Sequence, residues 1–136
     1  MSVDFTIQEK IELIINFFNS YGYVAETIHE FPIAHKFVQL GYAEIDSNNT
    51  YVKNEKGYEY LHSTIKKISE DMINALRKTG WSMNFSDMLS WFMDNYNLTD
   101  IDIAESIKDY IHKNLTTYGY KIYLSKKNNK YILEKL

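Results

Sequence analysis

Two short stretches with the composition of β-hairpins, one in each half of the chain, resemble each other. In each stretch, Tyr-, Val- and Ile-bearing runs flank a polar turn, which is the pattern of two antiparallel strands. A Gly-Tyr pair begins each stretch and an Asn-Asn pair lies in each turn: Gly41-Tyr42 with Asn48-Asn49, and Gly119-Tyr120 with Asn128-Asn129. The likeness favours a duplicated architecture, although both pairs are also common ways to end a helix and to form a turn.

Helical periodicity surrounds both predicted hairpins. Apolar residues recur at one-face helical spacing within residues 7–18, 33–40, 61–76, 85–96 and 103–115. Residues suited to begin a helix precede four of these segments: Thr6 with Glu9, Asn54, Asn84 with Asp87, and Thr99 with Asp102. Pro32 suits the first position of the second segment, and a short helical piece is expected from about Val24 to Glu30. The chain is therefore expected to be α+β and mostly helical.

The composition is that of an ordinary globular protein. Apolar residues make up 45% of the 136 residues, and charged residues make up 24%. The chain has no cysteine, so it can form neither a disulfide nor a thiolate metal site. Its start lacks the pattern of a signal peptide, and the longest uncharged stretch, residues 13–25, is too short to span a bilayer. We therefore expect a cytoplasmic protein that does not enter a membrane.

The usual motifs of catalysis are missing from the sequence. It contains no nucleophile elbow, no phosphate-binding loop, no dinucleotide-binding glycine motif and no His-Glu-x-x-His. The four histidines do not have ligand spacing, and the Glu59-x-x-His62 pair lacks the partners that a di-iron site needs. We expect a protein that is not an enzyme, with no cofactor, no metal and no evident small-molecule substrate.

Charge is unevenly distributed along the chain. Residues 1–65 contain four basic and nine acidic residues, a net charge of −5, whereas residues 66–136 contain eleven basic and nine acidic residues, a net charge of +2. The last sixteen residues hold five lysines against Glu134 alone. Because nucleic-acid affinity depends on neutralising phosphates, the C-terminal end should carry most of any DNA binding.

The order helix, short helix, helix, glycine, hairpin, helix resembles that of the winged helix-turn-helix regulators. Residues 37–45 resemble the end of the recognition helix and the first wing strand of that family. Residues 51–61 are similar to the strand and the "T-E-K-G-x-x-Y-L" motif that follow the wing, with Asn54 in the place of the usual Thr. The resemblance covers about residues 7–62, and the second half matches in element order only. The resemblance implies two tandem winged-helix-like units, residues 1–62 and 63–136, each with a β-hairpin wing and joined by a long helix.

In that family the recognition helix enters the major groove and the wing reaches the flanking backbone. Carried over by position, the resemblance implies these DNA-contacting residues: His35, Lys36, Gln39 and Lys53 in the first unit, and Lys108, His112, Lys113, Lys126, Lys127 and Lys130 in the second. The first unit departs from the pattern, because Asp46 lies in its wing turn and Arg77 is the only arginine of the chain. The second unit therefore has the better charge distribution for DNA.

The helix after the first hairpin carries an apolar stripe that includes Leu61, Ile65, Ile68 and Met72. Such a stripe is typical either of a short coiled-coil seam in a homodimer or of an amphipathic helix that packs on its own domain. Trp81 follows the glycine that ends this helix, where it is expected as an exposed anchor for a partner. These five residues are the candidate interface.

Two functions remain open from the sequence. The first is a DNA-binding transcriptional regulator of the winged-helix type, which binds double-stranded DNA and can form a homodimer. The second is a protein–protein interaction module, such as an adaptor or a mobile-element-encoded inhibitor of a nucleic-acid-processing complex. The acidic first half favours the second function, since it could meet a basic groove on a nucleic-acid-handling protein.

Overall fold

A computed structural model describes residues 5–18, 23–24 and 32–136 of the chain. These residues form an α+β fold with the following elements: α1 (Ile7–Phe18), β1 (Tyr23–Val24), α2 (Pro32–Gln39), β2 (Ala43–Ile45), β3 (Thr50–Lys53), α3 (Glu55–Lys78), β4 (Ser82–Asn84), α4 (Phe85–Asn95), α5 (Ile101–Asn114), β5 (Tyr120–Ser125) and β6 (Lys130–Lys135). A 3₁₀ turn, Leu115–Tyr118, follows α5. No helix in these ranges combines the length and the apolar character needed to cross a lipid bilayer.

The chain forms two compact units, residues 1–65 and 66–136, and the boundary falls within α3. The described residues of each unit form a three-stranded antiparallel sheet. In the first unit the strand order is β1-β3-β2, and in the second it is β4-β6-β5. In both sheets the first strand of the unit pairs with the last one, and the two strands of the hairpin are neighbours.

The strands β1 and β4 were not expected from the sequence, which predicted only the two hairpins. Val24 lies in β1, paired with Thr50, so the prediction of a helix from this residue is wrong. The rest of that predicted helix, residues 25–30, lies outside the described residues. Strands of two or three residues are too short to show an alternating pattern, and their pairing with a hairpin strand is a tertiary effect.

Two of the four predicted helix caps are observed, those at Thr6 and Asn54. The capping box is confirmed: the Thr6 N–H donates to Glu9 Oε1 at 2.8 Å, and the Glu9 N–H donates to Thr6 Oγ1 at 3.1 Å. At the start of α4, Asn84 makes no side-chain cap and instead donates weakly to Asp87 at 3.4 Å. At the start of α5 the cap is Asp100 rather than Thr99, and it accepts from the Asp102 N–H at 2.9 Å.

Asn54 caps α3 as predicted and also ties this helix to the first hairpin. Its Oδ1 accepts from the Gly57 N–H at 2.9 Å, and its Nδ2 donates to the Gly41 carbonyl at 2.9 Å. Gly57 lies against the Tyr42 carbonyl so closely that a Cβ atom would fall 2.0 Å from that oxygen. The close approach explains why the segment carries a glycine in the first turn of a helix, where glycine is otherwise unfavourable.

The apolar stripe of α3 belongs to the cores of the two units. Leu61 and Ile65 are buried in the first unit, and Ile68 and Met72 are buried in the second. These four residues were predicted as a candidate dimer interface, and that prediction is wrong because their side chains have no surface left for a partner. The alternative, an amphipathic helix that packs on its own domain, is the one observed.

Candidate nucleic-acid interface

The hairpin of β5 and β6 presents an exposed group of lysines. Ser125 pairs with Lys130 at its end, and Asn129 adopts a left-handed conformation, φ 53°, which helps the chain to reverse. Three lysines in and beside this turn are exposed: Lys126, Lys127 and Lys130. These three, hereafter the hairpin lysines, form no ion pair with any other residue that the structure describes.

Farther from the turn, the outer face of the same hairpin is partly neutralised. Lys121 pairs with Glu134 in the strand register, and their charged atoms lie 3.4 Å apart. The Tyr123 hydroxyl donates to the same carboxylate at 3.0 Å, and this hydrogen bond raises the pKa of Tyr123 above its usual value. Positive charge on the hairpin is therefore concentrated at the turn.

Lys108 was predicted as an exposed contact of the recognition helix, and the structure corrects that prediction. Only 6% of its surface is exposed, and its Nζ donates to the Tyr131 hydroxyl at 3.1 Å and lies 5.2 Å from the ring centroid of Phe85. Burial disfavours its charge, but the hydrogen bond to Tyr131 and the carboxylate of Asp109 outweigh this, so its pKa is raised. Lys108 is thus a charged residue of the core.

His112 was also predicted to contact DNA and is likewise turned inward. Its ring packs edge-to-face against Tyr131 at 4.8 Å between centroids, and its Nε2 has no hydrogen-bond partner among the described residues. Burial, aided by the positive charge of Lys108, lowers the pKa of His112 to about 4. His112 is therefore neutral at pH 7 and offers no charge to a phosphate.

The outward side of α5 is acidic. Asp102, Glu105 and Asp109 follow one another at helical spacing and are all exposed, and they are hereafter called the α5 acidic face. Of the predicted residues on this helix, only Lys113 in the last turn is exposed. An acidic face repels the phosphates that line a groove, so this helix is poorly suited to enter DNA.

In the first unit every lysine lies over an aromatic ring. The distances from Nζ to the ring centroid are 5.4 Å for Lys10 on Tyr60, 4.5 Å for Lys36 on Phe5, 4.9 Å for Lys53 on Phe18 and 5.2 Å for Lys56 on Tyr42. Lys53 also donates to the Phe17 carbonyl at the end of α1, and burial lowers its pKa.

His35 has a buried Nδ1 without a partner among the described residues. Of the four contacts predicted in this unit, Gln39 is exposed, and His35, Lys36 and Lys53 are half-buried.

Trp81 is 40% exposed, as expected of an anchor. Its backbone is left-handed, φ 70°, a conformation that costs a bulky residue about 1–2 kcal/mol. Two hydrogen bonds hold it there: its N–H donates to the Leu76 carbonyl at 2.7 Å, and its carbonyl accepts from the Leu133 N–H at 2.9 Å. The indole lies beside Arg77, at 5.6 Å, and is stacked with Tyr120 at 6.5 Å.

A groove of about 400 Å³ lies along α3 next to this tryptophan. Its lining consists of Glu70, Ile73, Asn74, Arg77, Tyr118 and Tyr120. This surface could not be predicted from the sequence, because the exposed side of α3 is polar and has no motif. Within the described ranges, no group of three or more His, Asp or Glu side chains is placed to hold a metal ion.

No family model, no curated protein and no solved structure matches the chain.

Proposed function

We propose that the chain is a DNA-binding protein of the winged-helix type, and that its second unit contacts the phosphates of a DNA duplex through the β5–β6 hairpin. The order of elements supports this proposal. In both units a short strand follows the first helix and pairs with the second strand of the hairpin, an arrangement that is typical of a winged helix. The hairpin is then the wing.

The observation that carries the proposal is the set of hairpin lysines. They are exposed and lie together at one turn, and they form no ion pair with a described residue. The stretch from residue 110 to residue 133 contains no acidic residue to oppose them. A compact group of free ammonium groups attracts phosphate oxygens and displaces their counterions.

The buried Lys108 and the α5 acidic face argue against base recognition by α5. Lysines act on phosphate as point charges, and they position a protein more than they select a base. We therefore propose binding that is led by the hairpin and tolerant of sequence. A regulatory role would then depend on contacts other than those of α5.

Charge reversal at the turn tests this proposal. The variant that combines Lys126→Glu and Lys127→Glu should lose binding to a short labelled DNA duplex at low salt, as measured by fluorescence anisotropy. The matched control combines Lys67→Glu and Lys78→Glu, two exposed lysines of α3, and changes the net charge equally. If both variants lose binding to the same degree, net charge rather than the hairpin is responsible. If the unsubstituted chain binds no duplex at low salt, the proposal is wrong.

The α5 acidic face favours a second candidate, a protein–protein interaction module. Three exposed carboxylates on one helix face, in a chain whose residues 1–65 carry a net charge of −5, suit a basic groove on a nucleic-acid-handling protein. In this case one protein should be captured in stoichiometric amount. Its capture should survive reversal of Lys126 and Lys127 and should be lost with Glu105→Lys and Asp109→Lys.

A further inference from the structure

We infer that the second unit forms a symmetric dimer in which α3 of one copy packs antiparallel against α3 of another. The surface concerned is a line of exposed residues along α3 and just beyond its end, hereafter the α3 stripe: Lys66, Glu70, Asn74, Arg77 and Trp81. It lies opposite the buried stripe on which the sequence had placed a dimer seam. This inference does not depend on nucleic-acid binding.

The α3 stripe carries opposite charges at equal distances from its middle. Glu70 and Arg77 lie equally far, on opposite sides, from the midpoint between Ile73 and Asn74. Residues of two antiparallel helices face each other when they are equally far from the symmetry axis. An axis at this midpoint therefore brings Glu70 of each copy opposite Arg77 of the other. A twofold interface requires this kind of self-complementarity.

Within one chain these charges are not satisfied by each other. Seven residues of helix separate Glu70 from Arg77 by about 10 Å along the axis, which is too far for an ion pair. Neither residue forms an ion pair with any other described residue. The groove that both residues line is bounded by Tyr118 and Tyr120, so a second helix laid in it would cover aromatic surface as well as charge.

Trp81 supplies the apolar contact of this surface. It is held in a left-handed conformation with its indole partly exposed, beside Arg77 and Tyr120. Trp, Tyr and Arg are the residues that most often dominate the binding energy of protein interfaces. The occupant we assign is a second copy of this chain, because the order of charges on the stripe complements itself.

Charge reversal within one chain tests the dimer. By symmetry, Glu70→Arg alone or Arg77→Glu alone creates two like-charge contacts, and we expect each variant to weaken the dimer at least tenfold. The variant that carries both substitutions restores two opposite-charge contacts and should dimerise within about fivefold of the unsubstituted chain. Sedimentation over a range of protein concentrations, without nucleic acid, measures this. Lys113→Glu, exposed on α5, is the control and should leave the dimer unchanged.

Cross-linking fixes the position of the axis. The chain has no cysteine, so Asn74→Cys places a single thiol beside the expected axis, where it should form a disulfide-linked dimer under mild oxidation. Glu105→Cys on α5 should not. A chain that stays monomeric at every concentration overturns the inference, as does a doubly substituted variant that dimerises no better than the single ones. Equal cross-linking of the two cysteine variants also overturns it.

Discussion

The ammonium group of Lys108 and the hydroxyl group of Tyr131 are hydrogen-bonded at 3.1 Å, and this bond joins the middle of α5 to β6 in the core of the second unit. The pair holds the hairpin against α5, the helix that the resemblance predicts to contact DNA. Lys108, which the resemblance predicts to contact DNA, therefore supports the hairpin instead.

The first prediction concerns the strength of this bond. Tyr131→Phe should destabilise the second unit by about 2 kcal/mol, because it removes the acceptor of a buried charge. Lys108→Met, which keeps the packed stem and removes the charge, should change stability less. In the Lys108→Met background, Tyr131→Phe should then have little further effect. Urea unfolding followed by tryptophan fluorescence measures this, since Trp81 and Trp91 both belong to the second unit. Additive effects of the two substitutions would contradict the pairing.

The second prediction concerns acid. The pKa of His112 falls from an ordinary 6.5 to about 4 on folding, so between these values the unfolded chain binds the additional proton. Stability therefore decreases as the pH falls through this window, and the contribution of His112 between pH 7 and pH 5 should be about 2 kcal/mol. His112→Phe, which cannot be protonated, should lose that much less stability over the same range in urea unfolding. An identical pH dependence in both proteins would contradict the buried, neutral state of His112.

The third prediction concerns the contact between α3 and the first hairpin. Gly57→Ala places a Cβ atom against the Tyr42 carbonyl and should destabilise the first unit by roughly 1–3 kcal/mol or more. Glu59→Ala, at an exposed position of the same helix, is the control and should be nearly neutral. Far-UV circular dichroism during thermal unfolding measures both. A Gly57→Ala variant as stable as the control would show that the helix can shift away from the hairpin without cost.

Local signals in the sequence predicted much of the fold. The Thr6–Glu9 capping box, the Asn54 cap and the two hairpins depend on residues close together in the chain, and all of them are observed. The strand β4 could not be predicted in this way, because its three residues become a strand only by pairing with β6. Formation of such a strand is a tertiary event that leaves no periodic trace in the sequence.

The candidate site was predicted less well, because in the second half the resemblance assigned exposure from the order of elements alone. For Lys108 the sequence held a contrary signal: it follows Ala104 by four residues and precedes Ile111 by three, so it lies on the apolar face of α5. His112 is drawn inward by its contact with Tyr131, which is far away in the chain. The exposure of the hairpin lysines, by contrast, follows from a polar turn of consecutive Lys and Asn residues.

The salt dependence of DNA binding tests the central claim most directly. If the hairpin lysines neutralise three phosphates, the logarithm of the association constant should fall with the logarithm of salt concentration with a slope of about −3. Removing two of them by Lys126→Ala and Lys127→Ala should reduce the slope by about 2. Anisotropy titrations between about 50 and 200 mM salt give both values. A slope near zero, or one that the two substitutions leave unchanged, would contradict binding through the hairpin.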